Sequence, residues 1–117
     1  MASTTLARYL DVEGQPIGLD PEGYLVDLDI WSPAVAHALA EEDGIELTDE
    51  HWEVIKVLRD FYARFAMAPP MRPLVKAVGQ SLGDEKGRSI HLMRLFPGSP
   101  AKVAARLAGL PKPANCL

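Results

Sequence analysis

Proline and glycine divide this sequence more sharply than anything else in it. Ten prolines and nine glycines stand among 117 residues. Proline removes a backbone donor and fixes φ, and glycine weakens the interior of a helix or strand. The chain can therefore hold only short elements, and the punctuation marks where they end. With 48% hydrophobic residues there is enough apolar surface for one core. A length close to that of an ordinary domain leaves no room for two.

Residues 15–28 read as a hairpin around Asp20-Pro21-Glu22-Gly23, which has Asp, Pro and Gly where a type I turn wants them. Pro16 keeps its first strand short or at an edge. Ser32-Pro33 is a helix start, with Val35, Ala36, Leu39 and Ala40 on one apolar face and Gly44 as the stop. Thr48 opens the longest helix. Asp49 and Glu50 sit in its first turn, and Trp52, Ile55, Leu58, Phe61 or Tyr62, and Phe65 recur at helical spacing as a core stripe. Ala68-Pro69-Pro70 ends it. A third helix is predicted from about Met71 to Leu82, with Leu74, Val75, Val78 and Leu82 inward and Gly83 closing it. A fourth begins near Asp84 and carries Ile90, Met93 and Phe96. A fifth follows Ser99-Pro100, shows Val103, Ala104 and Leu107, and ends at Gly109 with Leu110 folding back. Pro111 and Pro113 then favour an extended arm.

The net charge of −4 conceals a division. Residues 1–60 hold three Lys/Arg against fourteen Asp/Glu, and residues 61–117 hold nine against two. Either acidic faces meet basic ones within the fold, or the C-terminal half offers a basic surface to a negative partner. No apolar run approaches a membrane span, and no secretory signal is visible at the N-terminus. One cysteine can form neither an intramolecular disulfide nor a CxxC pair, which fits a reducing compartment and makes the cytoplasm the expected location.

That cysteine, Cys116, is the penultimate residue. A core cysteine would sit inside a periodic segment, whereas this one follows the last helix on a proline-stiffened stretch. Extended at about 3.1 Å per residue, the arm could carry the thiol some 20 Å from Gly109-Leu110. A frayed terminus is the plain alternative. On a solvated arm the thiol is mostly protonated at neutral pH, and no neighbour in sequence activates it. A partner would have to do so. A carrier that receives sulfur as a persulfide and hands it on fits those limits.

The sequence resembles the DsrC/TusE family of small sulfur-relay proteins over nearly its whole length. The stretch Leu95-Phe96-Pro97-Gly98-Ser99-Pro100-Ala101-Lys102 and the ending Gly109-Leu110-Pro111-Lys112-Pro113, then Cys116-Leu117, carry the resemblance most specifically. Glu22-Gly23-Tyr24-Leu25, Glu50-His51-Trp52-Glu53-Val54, Arg59-Asp60-Phe61-Tyr62 and Arg72-x-Leu74-Val75-Lys76 support it. The resemblance implies an α+β, mainly α fold: a small N-terminal β-hairpin on a helical bundle with a helix-turn-helix-like element and a mobile C-terminal arm. Residues 1–110 would be the globular body and 111–117 the arm. It further implies a sulfurtransferase that accepts persulfide sulfur on Cys116 from a TusBCD-like donor and passes it to an MnmA-like tRNA thiouridylase for the wobble uridine, with no cofactor. Relatives that partner dissimilatory sulfite reductase resemble this chain but have a second cysteine where Ala105 stands here, which points to the single-cysteine TusE-like branch. Lys102, Arg106 and Lys112 flank the route to Cys116 and are the expected partner-binding residues.

Two rivals remain at this level. One is a sulfur carrier of dissimilatory sulfur metabolism. The other is a helix-turn-helix DNA-binding regulator using Lys76, Lys86, Arg88 and Arg94, against which the acidic net charge weighs. Otherwise contact with nucleic acid is expected to be indirect, and none with a membrane. His37, His51 and His91 show no metal-ligand spacing, so no metal is expected.

Overall fold

The first turn of regular structure forms at Glu13-Gly14. In the structure, a computed structural model describing residues 5–114, β1 (Arg8–Val12) pairs antiparallel with β2 (Gln15–Leu19), Val12 opposite Gln15 and Arg8 opposite Leu19. Glu13 and Gly14 take φ of +52° and +83°, the left-handed pair that suits a two-residue hairpin turn. The hairpin thus lies one element earlier than the expected 15–28. The Asp20–Gly23 turn does form: the Asp20 carboxylate accepts from the N–H groups of Glu22 and Tyr24, each at 2.9 Å. Beyond it, however, the chain pairs only through a single Leu19–Leu25 bridge. Asp27 then accepts from the Asp29 N–H at 3.0 Å and starts one 3-10 turn, Leu28–Ile30, which ends the extended stretch.

Five helices follow: α1 (Pro33–Glu42), α2 (Asp49–Phe65), α3 (Met71–Leu82), α4 (Ser89–Leu95) and α5 (Pro100–Leu107). Ser32 caps α1 by accepting from the Val35 N–H at 3.3 Å, and Val35, Ala36, Leu39 and Ala40 are its buried face. Near the start of α2, His51 is buried. Its Nδ1 accepts from the Thr48 N–H at 3.0 Å, so Nε2 is the nitrogen that donates, to the Leu95 carbonyl at 2.8 Å. That bond ties α2 to the end of α4.

Two expectations about faces change. Phe65, placed in the core stripe of α2, is 53% exposed. Helix α4 starts at Ser89 rather than Asp84, and it buries Leu92 and Leu95, followed by Phe96, while Ile90 and Met93 face out. The cause lies in the preceding turn. The Lys86 and Gly87 N–H groups both donate to the Gly83 carbonyl, and Gly87 packs so tightly on the Gly79 backbone that a Cβ has no room. The chain is turned there and enters α4 late. Helix α5 lies at the centre, packed against α1, α2, α3 and α4, with six of its eight residues buried. The small side chains of Ala101, Ala104 and Ala105 let the other helices approach this closely.

Candidate functional site at the end of helix α5

Every backbone carbonyl at the end of α5 is satisfied, and the partners come from both near and far. The Leu110 N–H donates to the Ala105 carbonyl at 2.9 Å and the Gly109 N–H to that of Arg106 at 3.2 Å. With Gly109 at φ +73° and Leu110 buried, this is the glycine cap expected from the sequence. The next two carbonyls take side chains: Trp31 Nε1 donates to Leu107 at 2.9 Å and Arg59 Nη1 to Ala108 at 2.6 Å. The Arg59 guanidinium also lies over the Trp31 ring, 3.9 Å from its centre. Burial pushes the Arg59 pKa down, but an arginine has ample room to stay charged and complements the negative end of the helix. Gly109 presses against the Trp31 ring where a Cβ would collide. Arg59 belongs to a segment that carried the family resemblance. Nothing local in the sequence marks Trp31 as its companion.

Beyond this clamp the chain lies on the body as far as it is described. Lys112 Nζ sits 2.9 Å from Glu22 Oε2 and Pro113 is buried. Cys116 lies outside the described residues, as does the rest of 115–117. Alongside α5 runs an open depression of roughly 690 Å³, lined by Glu22, Tyr24, Glu42, Asp43, Lys102 and Arg106 among others.

The three cations expected to bind partners are placed differently. Lys112 is exposed on the rim and Lys102 is half-buried, its carbonyl accepting from the Tyr24 hydroxyl at 3.3 Å. Arg106 is only 9% exposed. Its Nε donates to the Gly23 carbonyl at 2.9 Å, Nη1 to Asp43 at 2.8 Å and Nη2 to Glu42 at 2.7 Å. It forms the floor that joins α5, α1 and the Asp20–Gly23 turn. Gly23 is required there: its φ is +88°, and a Cβ would come within 2.6 Å of Arg106 Nε. Glu42 takes a second, bidentate pair of bonds from Arg8 at 2.9 and 3.0 Å.

The hydrogen bonds from Arg8, with help from Arg106, hold the Glu42 carboxyl below the usual glutamate range. A carboxyl whose pKa is lower folded than unfolded adds stability above its unfolded value and loses it as pH falls through the folded one. Acid titration followed by circular dichroism should therefore show stability falling below the ordinary glutamate range. Glu42→Gln should flatten that slope, and an unchanged slope would mean that ionisation of Glu42 contributes nothing to folding.

Among the described residues, no group of three or more His, Cys, Asp or Glu is placed to hold a metal ion. No helix among them is long and apolar enough to cross a membrane.

A family model described as "DsrC like protein" matches residues 11–117. The chain belongs to the DsrC family. Sulfurtransferase TusE of Pectobacterium atrosepticum is 51% identical over 108 residues, 92% of this chain and 99% of that protein. Sulfurtransferase TusE of Yersinia pestis is likewise 51% identical over 108 residues, again 92% and 99%. Among solved structures, the NMR structure of Allochromatium vinosum DsrC superposes with a TM-score of 0.87 at 49% identity, covering 96% of this chain and all of that one. The oxidized γ-subunit of dissimilatory sulfite reductase (DsrC) from Archaeoglobus fulgidus does so at 0.81 and 41%, covering 93% and 99%. The hairpin and five helices of this DsrC-family chain are thus those of a DsrC fold, and the curated family members named here are sulfurtransferases.

Proposed function

We propose that this DsrC-family chain is a sulfur carrier that loads a sulfane sulfur onto Cys116 from a TusBCD-type donor and relays it to an MnmA-type enzyme for 2-thiolation of the tRNA wobble uridine. One observation carries the proposal: the only thiol in the chain follows, by a few residues, a helix end that Trp31 and Arg59 hold rigidly. The body, residues 1–110, supplies the mount, and residues 111–117 act as the arm, whose described part, 111–114, rests on the body through Lys112 and the buried Pro113. A reducing cytoplasm would keep such a thiol free.

The chemistry is two thiol exchanges. The Cys116 thiolate attacks the terminal sulfur of the donor persulfide. A new S–S bond forms at Cys116, the donor S–S bond breaks, and the donor cysteine leaves as a thiolate. The acceptor's thiolate then takes the same sulfur from Cys116 in the same way. No net oxidation occurs, and each partner supplies the base that its own step needs.

Lys112 and Lys102 on the rim, with the Arg106 cluster beneath them, are the proposed partner contact. Cations at a rim act mainly by speeding encounter, an effect that salt removes, and here Lys112 would exchange Glu22 for the partner.

Likeness to DsrC subunits of sulfite reductases favours a second reading, a carrier in dissimilatory sulfur metabolism. Here Ala105 is fully buried and carries no thiol, so a bond between two cysteines of one chain cannot form.

Intact-mass measurement after incubation with a persulfurated TusBCD-type donor tests the proposal. One added sulfur on Cys116 is expected, loaded more slowly at low salt when Lys102 and Lys112 are both changed to Glu. No gain in mass would overturn the carrier role. Equal rates would remove the two lysines from the contact.

A further inference from the structure

Helix α2 has a second face that the site above leaves unused. Residues Arg59, Tyr62 and Ala63 border the clamp around Gly109 and Leu110. One face round the helix, Val57, Phe61 and Phe65 form one wall of a groove whose other wall is Pro73, Ala77 and Ser81 of α3. We propose that this groove docks an amphipathic helix of a partner protein whose apolar stripe is flanked by carboxylates.

The shape follows from α3. Pro73, Ala77 and Ser81 recur every four residues and so stack along one edge of the helix. All three are short. Helix α3 meets the core through Leu74 and Val78, both fully buried, and the row of short side chains beside them leaves a trough of roughly 370 Å³. The Phe61 and Phe65 rings stand 4.6 Å apart along its opposite wall, and Phe65 is 53% exposed. A single exposed aromatic is ordinary. A paired one beside an empty trough offers an anchor point. From Pro73 to Ser81 the groove runs about 12 Å, two helical turns, the span over which a docked helix places its successive apolar anchors.

The charges choose the partner. Arg64 and Lys76 border the groove, and Arg72 lies one turn before Lys76 on α3. None of the three makes an ion pair among the described residues. The carboxylate at the groove, Asp60, lies 3.5 Å from Lys56 on its own helix. The rim is therefore cationic and uncompensated, which favours Glu and Asp beside the incoming apolar stripe and disfavours Lys and Arg. A partner seated there would lie about one helix diameter, some 10 Å, from the root of the arm. The inference stands apart from the sulfur chemistry, because binding is read without any sulfur present.

The probes are two synthetic helical peptides of about four turns with the same leucine stripe, one flanked by Glu and the other by Lys. Each is titrated into the full chain while amide resonances are followed by NMR. The Glu peptide should shift resonances within 57–65 and 73–81, and the Lys peptide should not. Lys76→Glu, at an exposed position that should leave the melting temperature unchanged, and Phe65→Ser, which gives up the Phe61 ring contact and should lower it only slightly, should each weaken the Glu peptide about tenfold. Equal binding of both peptides, shifts elsewhere, or no binding at millimolar peptide would overturn the proposal. So would concentration-dependent dimerisation that Phe65→Ser abolishes, which would make a second copy of this chain the occupant.

Discussion

Cys116→Ser is expected to abolish sulfur loading while leaving the melting temperature where it was. Serine keeps the size of the side chain but cannot accept a sulfane sulfur at neutral pH, and no other thiol exists in the chain to replace it. The hydrogen bonds that hold the end of α5 all fall at or before Leu110, so stability should not notice the change. Intact mass and a thermal melt on the same sample separate the two effects. A clearly lower melting temperature would make Cys116 a packing residue. Residual loading would mean that sulfur is attached elsewhere.

Gly109→Ala should be among the most damaging single-methyl changes in the molecule. Two penalties add at this position. Holding a non-glycine residue at φ +73° costs about 1–2 kcal/mol. The new Cβ would also collide with Trp31, which is held in place by its bond to Leu107 and by the Arg59 guanidinium. A total on the order of 3 kcal/mol, or a drop in melting temperature on the order of 10 °C, is expected. Gly44 is the control, because it has a similar φ of +69° with nothing within 4 Å of where a Cβ would stand. Gly44→Ala should therefore show the backbone penalty alone. If the two variants melt together, Trp31 yields freely and the clamp is soft.

Caps and breakers are local chemistry, and where they governed an element its boundary was legible. Ser32-Pro33, Gly83 and Gly109-Leu110 mark ends of α1, α3 and α5 that the structure reproduces. The hairpin was misplaced because the Asp20–Gly23 turn has the stronger sequence signature. The turn at Glu13-Gly14 needs a left-handed glutamate, which composition does not announce. At seven residues α4 is too short for periodicity to choose a face, so Ile90 and Met93 read as core when Leu92 and Leu95 are. Phe65 matched the period of α2 but lies in its last turn, beyond the reach of α3's short side chains. At the candidate site, Cys116 lies outside the described residues, whereas the Gly109-Leu110 cap of α5 was legible because its chemistry is local. The burial of Arg106 was not: its carboxylate partners stand 63 and 64 positions away, and no pattern within α5 distinguishes it from Lys102.

The distances in sequence spanned by the bonds to α5 bear on how the chain can fold. Arg106 reaches back 83 positions to Gly23, Trp31 reaches forward 76 to Leu107, and Arg59 forward 49 to Ala108. Closing loops of that size loses entropy before any contact compensates for it, and it slows folding. Without α5, moreover, the Gly23 carbonyl, the Trp31 indole N–H and the Arg59 guanidinium would lose these partners, and the faces of the helices packed on α5 would be bare. The early elements are therefore expected to gain much of their stability only when α5 is in place. Hairpin and bundle should complete together, and the end of α5 is fully held only once Gly23, Trp31 and Arg59 have all reached it.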